Sequence, residues 1–346
     1  MSQTASNTPV PMASTAELQA LLDAYLDGHD GRRAAHLERR PSKFGSSYEL
    51  DEIDARLDDG SVLPLIWKAT ARRSLNPEAI DAKPEFLYDP LREIEVYRRL
   101  LLPDDLGTAT CYGVVADRER DRYGLLLARV AGLNLTFVGD VAVWQEAARW
   151  LARWHDRFAD LTATTAPSSH LLIYDRQVLA IWIDRAVQFS SRDEPVPRAA
   201  ETDRLSRLAE QYDRVVDRLV ELPKSLIHGE FFPSNVLIDD HQLPTRICPI
   251  DWELAGIGPR WLDLAALVAG NWTDDERRSM QRAYYAESSH VRQAIDYEQF
   301  TTGVNLCRLH LAVQMLGWSA AWRPQPWHMH DWLADAIKLS AAFEIV

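Results

Sequence analysis

The stretch from Ser225 to Ala266, SLIHGEFFPSNVLIDDHQLPTRICPIDWELAGIGPRWLDLAA, constrains this chain more than any other part. Two apolar, β-branched runs, Val236 to Ile238 and Ile247 to Ile250, flank the turn signal Asp239-Asp240-His241. The pattern predicts strand, loop, strand, turn, strand, loop and helix. Polar residues that no core would ask for fall at the strand ends: His228, Glu230, Ser234, Asn235, Asp251 and Glu253. Loops held by a rigid scaffold are where binding and catalytic groups concentrate.

The spacing carries a chemistry. Glu230 and the Asn235 amide share one short loop, and Asp251 closes the next hairpin. Asn and Asp oxygens are hard ligands suited to Mg²⁺, which takes one or two carboxylates and completes its shell with substrate phosphates. Asn235 and Asp251 are therefore the predicted metal ligands. That leaves Glu230 to accept a proton from an attacking hydroxyl. Base, metal amide and metal carboxylate in that chain order is the arrangement of phosphoryl transfer in kinase-like folds.

With these residues set out, the stretch resembles the active-site motif of the aminoglycoside phosphotransferase and choline kinase-like family, roughly H-G-D-x4-N, then D-[WF]-E, then G-x4-D-L-A. The matching residues are His228-Gly229-Glu230, Asn235, Asp251-Trp252-Glu253, Gly258 and Asp263-Leu264-Ala265. The departure is Glu230, where the family usually has Asp. One methylene displaces the carboxylate by about 1 Å, and a misplacement of that size can cost roughly 10²-fold in rate. Either the loop compensates or catalysis is weakened; Glu remains a competent base, and compensation is the expectation. The resemblance implies an α+β, two-lobed protein-kinase-like fold with a β-rich N-terminal lobe and a mostly helical C-terminal lobe. It implies ATP as donor, with GTP open, and Mg²⁺ as cofactor. It also implies that His228 braces the catalytic loop and that the Asp263 carboxylate binds loop N–H groups. Glu253 is either a neighbour of the metal ligands or a partner for local backbone donors.

The formal charge of −13 over 346 residues argues against nucleic acid, whose partners cluster Lys and Arg. Net acidity mostly serves solubility and locates no pocket. No apolar run spans a membrane. The leader MSQTASNTPVPMAST lacks a basic and an apolar segment, so no signal peptide is expected. Cys111, Cys248 and Cys307 are widely spaced, as buried thiols of a reducing cytoplasm would be.

Ahead of the central stretch, Ser14-Thr15-Ala16-Glu17 is a capping box opening a helix with a packing role. Residues 35 to 69 read as three antiparallel strands with a hairpin at Asp58-Asp59-Gly60. Lys68 lies among Leu63, Leu65, Ile66 and Trp67 on the third strand, an unusual place for an unpaired ammonium. By resemblance Lys68 contacts the α- and β-phosphates; the alternative is an exposed strand residue. The segment 41–47 would then cover the phosphates, with Ser42, Ser46 and Ser47 as donors. No Walker A loop occurs. Residues 90 to 101 form a helix, in which Glu93 fits the family's partner for the lysine and Glu95 competes from another face. The run Gly124 to Gly132 resembles the interlobe hinge, where adenine would meet backbone groups near Ala128 and Val130.

The expected division is a leader and helix over 1–34, a nucleotide-covering lobe over 35–132, and a catalytic, acceptor-binding lobe over 133–346. Val141 to Phe158 is a helix whose buried stripe includes a satisfied His155. Helices are also expected over 179–189, 203–222 and 262–269, with loops at 160–170 and 190–197. Beyond Asp274 the chain reads as helical and aromatic-rich, either ordinary core or the wall of an acceptor pocket. The acceptor is a small-molecule hydroxyl of the antibiotic, sugar or amino-alcohol class. Two rivals stand beside the kinase: a nucleotide-binding module without turnover, prompted by Glu230, and a carboxylate-pair hydrolase. Oligomeric state leaves no signal.

Overall fold

The computed structural model describes residues 13–29, 31–43, 47–101, 106–161, 168–190, 199–239, 245–318 and 330–343. The chain forms two compact units, Met1–Ile80 with Ala109–Arg129, and Asp81–Thr108 with Val130–Val346. The first unit thus takes in the N-terminal helix, and the segment 81–108 groups with the second.

The first unit is built on an antiparallel sheet of β1 (Ala34–Pro41), β2 (Leu50–Leu57), β3 (Val62–Ala69), β4 (Cys111–Asp117) and β5 (Arg122–Ala128), in the order β1-β2-β3-β5-β4. The expected hairpin joins β2 to β3. Gly60 takes a φ of +83° there, and the Ser61 N–H donates to the Asp59 carboxylate at 2.8 Å. Helix α1 (Thr15–Asp27) opens with the predicted capping box between Ser14 and Glu17 and buries Leu18, Leu22 and Leu26. The Ser14 backbone N–H and then the Arg122 guanidinium hold the Glu17 carboxyl down to about 2. Leu21 packs on Gly113 of β4, where a Cβ would come within 2.9 Å of the leucine. The helix therefore has the packing role its apolar stripe called for.

Helix α2 (Pro77–Ala82) carries the chain into the second unit. There α3 (Arg92–Val96) continues into a single π turn, Tyr97–Leu101. Two small sheets follow. One, in the order β10-β9-β6, joins β6 (Leu133–Asn134), β9 (Val236–Asp239) and β10 (Arg246–Pro249). The other, in the order β7-β11-β8, joins β7 (Leu172–Ile173), β8 (Lys224–Ile227) and β11 (Gly256–Pro259). The strand β11 was read as loop, because Gly-Ile-Gly-Pro has no strand propensity. Its glycines answer a packing demand. A Cβ at Gly256 would overlap the Leu172 carbonyl of the parallel neighbour, and one at Gly258 would press on Tyr174.

The remaining helices are α4 (Val141–Arg157), α5 (Arg176–Ser190), α6 (Ala199–Glu221), α7 (Trp261–Leu267), α8 (Asp274–Glu287), α9 (Ser289–Ala294), α10 (Tyr297–Leu316) and α11 (Trp332–Ala342). The predicted stripe of α4, from Trp144 to His155, is buried as expected. Of the late aromatics, Tyr284 and Phe300 are core residues with stacked rings. Trp322, Trp327 and the His328-Met329 dipeptide lie outside the described residues, as do Ser46 and the turn residues Asp240 and His241.

Candidate active site

The hairpin of β9 and β10 sets the site. Its register pairs Val236 with Pro249, and the Ile250 N–H continues the ladder to the Asn235 carbonyl at 2.9 Å. Asn235 and Asp251 therefore leave the same end of one hairpin, a placement their separation in sequence does not state. Asn235 closes a short 3₁₀ turn begun by Pro233, and its amide donates to the Glu230 carbonyl at 3.0 Å. The Phe232 N–H bonds the same carbonyl at 2.7 Å, so the loop from Glu230 to Asn235 is internally closed. Glu230, Asn235 and Asp251 are all half-buried.

His228 and Asp263 hold this loop as the resemblance implied. The buried His228 ring donates from Nε2 to the Ile250 carbonyl at 2.9 Å, and its Nδ1 accepts the Glu230 N–H at 3.3 Å. One imidazole thus spans the base loop and the residue before Asp251. The Asp263 carboxylate, near the start of α7, accepts the N–H groups of His228 at 2.7 Å and Gly229 at 2.9 Å. It also receives His155 Nε2 at 3.2 Å, while Tyr284 bonds Nδ1 at 2.8 Å. Burial depresses the pKa of His155, against the pull of Asp263. Gly229 turns the chain at a φ of +85°, where a Cβ would collide with the Leu254 carbonyl and the Tyr174 hydroxyl.

The second carboxylate is set by its own backbone. Asp251 has a φ of +66°, a left-handed conformation that a residue with a Cβ adopts only under constraint. Beside it Trp252 is fully buried against Trp154 and His228, and its N–H reaches Glu93 Oε1 at 3.3 Å. Glu95 instead bonds Arg98 and Arg99 along its own helix. Glu253 was left open between two readings. Its carboxylate pairs with Lys83, and its carbonyl accepts Arg92 Nη1 at 2.6 Å.

In the first unit Lys68 is buried, 5% exposed, with its ammonium 5.6 Å from the centre of the Tyr48 ring. This removes the exposed-strand reading. Of the other nucleotide candidates, Ser47 gives its carbonyl to the Asn76 N–H at 3.0 Å. The Ala128 N–H is committed to the Thr110 carbonyl at 2.8 Å, and the Arg129 N–H to Pro64 at 3.0 Å. Both donors are committed within the first unit. Sequence reasoning passed over Lys83 and Arg92. Arg92 had a signal in its place directly before Glu93, and Lys83 had none.

Among the described residues no cluster of three or more His, Cys, Asp or Glu side chains forms a ready metal cage. An amide and one carboxylate at a shared hairpin end instead fit a hard cation that arrives with its phosphates. No described helix is long and apolar enough to cross a membrane.

This fold and site define a phosphotransferase of protein-kinase-like architecture. Residues 113–300, over half of the chain, match the family model described as the phosphotransferase enzyme family, and the chain belongs to that family. Solved structures agree in fold. Choline kinase from Cryptosporidium parvum Iowa II matches with a TM-score of 0.59 at 14% identity, covering 96% of this chain and 94% of its own. Aminoglycoside 2'-phosphotransferase-IIIa in its GDP complex matches with a TM-score of 0.56 at 14% identity, covering 95% and 98%. Plasmodium vivax ethanolamine kinase gives a TM-score of 0.52 at 12% identity, covering 88% and 81%. No curated protein sequence matches the chain. The family lends no support to the reading without turnover.

Proposed function

We propose that this protein transfers the γ-phosphoryl group of a nucleoside triphosphate, ATP or GTP, to a hydroxyl of a small molecule of the antibiotic, sugar or amino-alcohol class. The observation that carries this is the convergence of Asn235, Asp251 and the Glu230 loop at one hairpin end. In this reading Asn235 Oδ1 and the Asp251 carboxylate hold Mg²⁺. When bound, Mg²⁺ would supply positive charge that offsets the charge of the phosphates. Lys68 orients the α- and β-phosphates. Glu93, rather than the Arg-bonded Glu95, is the carboxylate that holds Lys68. Ser46 and Ser47 cover the phosphates, and Val130 with Ala128 frames the base. Glu230 accepts the acceptor's proton as its oxygen attacks the γ-phosphorus and the bond to the β-phosphate oxygen breaks. The loop closed by Asn235 and His228 supports Glu230 as a working base despite its extra methylene.

Calorimetric titration of ATP, then GTP, with and without Mg²⁺, tests the donor site in the wild type and Asp251→Ala. Mg²⁺-dependent binding lost in Asp251→Ala is the expected result; no binding of either nucleotide refutes the proposal. An acceptor screen reading nucleoside diphosphate release follows. Glu230→Gln should then lower turnover by about 10²–10⁴-fold, the usual worth of a general base.

A further inference from the structure

The loop bearing Asp251 is held on one flank by the hairpin: the Ile250 N–H bonds Asn235 and the Ile250 carbonyl bonds His228. On the other flank it is held by residues that precede it by more than 150 positions. Arg92 Nη1 bonds the Glu253 carbonyl at 2.6 Å and the Leu87 carbonyl at 2.8 Å, while its Nε bonds His170 at 2.8 Å. Glu93 takes the Trp252 N–H. Lys83 pairs with the Glu253 carboxylate, and the two side chains are only 7% and 11% exposed.

A nearly buried ion pair is weak evidence for stability, because desolvation of the two charges offsets their attraction. Its value is geometric. Here it fixes the side chain two residues beyond Asp251, which itself sits in a left-handed conformation that only its surroundings maintain. Backbone bonds at 250, 252 and 253 define where the loop runs. The Lys83–Glu253 pair adds a restraint on the Glu253 side chain itself.

We infer that Lys83 is a positioning residue for the metal-binding carboxylate: by clamping Glu253 it holds Asp251 in the conformation that presents its oxygens to a nucleotide-bound divalent cation. This rests on the role proposed above for Asp251. Partners that orient metal ligands typically change metal affinity about 10–100-fold when removed.

The test is calorimetric titration of a non-hydrolysable ATP analogue, or its guanine counterpart if that binds more tightly, in excess Mg²⁺ and in EDTA. The readout is the ratio of the two affinities. Lys83→Met should lower that ratio about 10–100-fold while leaving the EDTA affinity within about twofold. Lys83→Arg should restore it. The double variant Lys83→Met/Glu253→Leu removes both charges, so it should recover any loss of thermal stability yet keep the lowered ratio. A lowered ratio in a double variant as stable as the wild type cannot come from misfolding. The inference is overturned if Lys83→Met keeps the wild-type ratio while Asp251→Ala loses it. It is equally overturned if both affinities fall together and return in the double variant, which would mark a purely structural pair. A wild type with no Mg²⁺ enhancement removes the metal role of Asp251, and this inference falls with it.

Discussion

Replacing Asp263 with Asn tests how the catalytic loop is held. The carboxylate is 1% exposed and receives three donors on two oxygens: the N–H groups of His228 and Gly229, and His155 Nε2. One oxygen takes His228 and His155, and the other takes Gly229. An amide has a single acceptor oxygen. If it keeps the paired donors, its NH₂ faces the Gly229 N–H, and one buried donor is left unsatisfied at a cost of about 1–3 kcal/mol. The two surviving bonds become neutral, losing about half of their charge-assisted strength, about 1 kcal/mol each. Relief of the buried charge returns part of this. The expected net loss is about 2–4 kcal/mol. Urea unfolding followed by far-UV circular dichroism measures it, with Asp263→Ala as the harsher reference that strands all three donors. A loss below about 0.5 kcal/mol for Asp263→Asn would refute the reasoning, since it would mean that these N–H groups find other partners without cost.

Three further outcomes follow from the same structure. Burial drives the His310 imidazole from 6.5 down to about 3, beside the Tyr212 hydroxyl at 2.8 Å. The unfolded imidazole binds a proton below about 6.5 that the folded one refuses, so this stabilisation is complete above that pH and is lost towards pH 3, by about 5 kcal/mol in all. His310→Gln should flatten the fall in unfolding free energy between pH 6.5 and 4; an unchanged slope counts against the assignment. Gly132 combines a φ of +116° with a Cβ position overlapping the Ile238 carbonyl, so Gly132→Ala should lower stability by about 2–4 kcal/mol. An unmoved urea midpoint would contradict that. Lys68→Met keeps the apolar stem and removes the charge, so it should weaken nucleotide binding about 10–100-fold; equal affinity by calorimetry would exclude Lys68 from the phosphate site.

What was legible in the sequence was local. The capping box of α1, the hairpin at Gly60, the stripe of α4 and the two strands around residue 240 each declare themselves within a few residues, through periodicity or turn chemistry. The grouping of the candidate residues Glu230, Asn235 and Asp251 was equally legible, because they lie within one hairpin and its loop. The strand β11 was not legible: its glycines are dictated by the approach of Leu172 and Tyr174, and propensity cannot register a neighbour. The same holds for the supports of the Asp251 loop. Arg92 reaches Glu253 across 161 positions and Lys83 across 170. Lys83 stands in a short, aperiodic segment where a lysine reads as solvated surface, and only the fold reveals that it is nearly buried against a carboxylate. A ligand must face its substrate and so sits in a recognisable loop, whereas the group that steadies it needs only to be adjacent in space. Variants at Lys83 therefore probe what the fold adds to the motif: they leave Glu230, Asn235 and Asp251 in place and test the constraint proposed for Asp251.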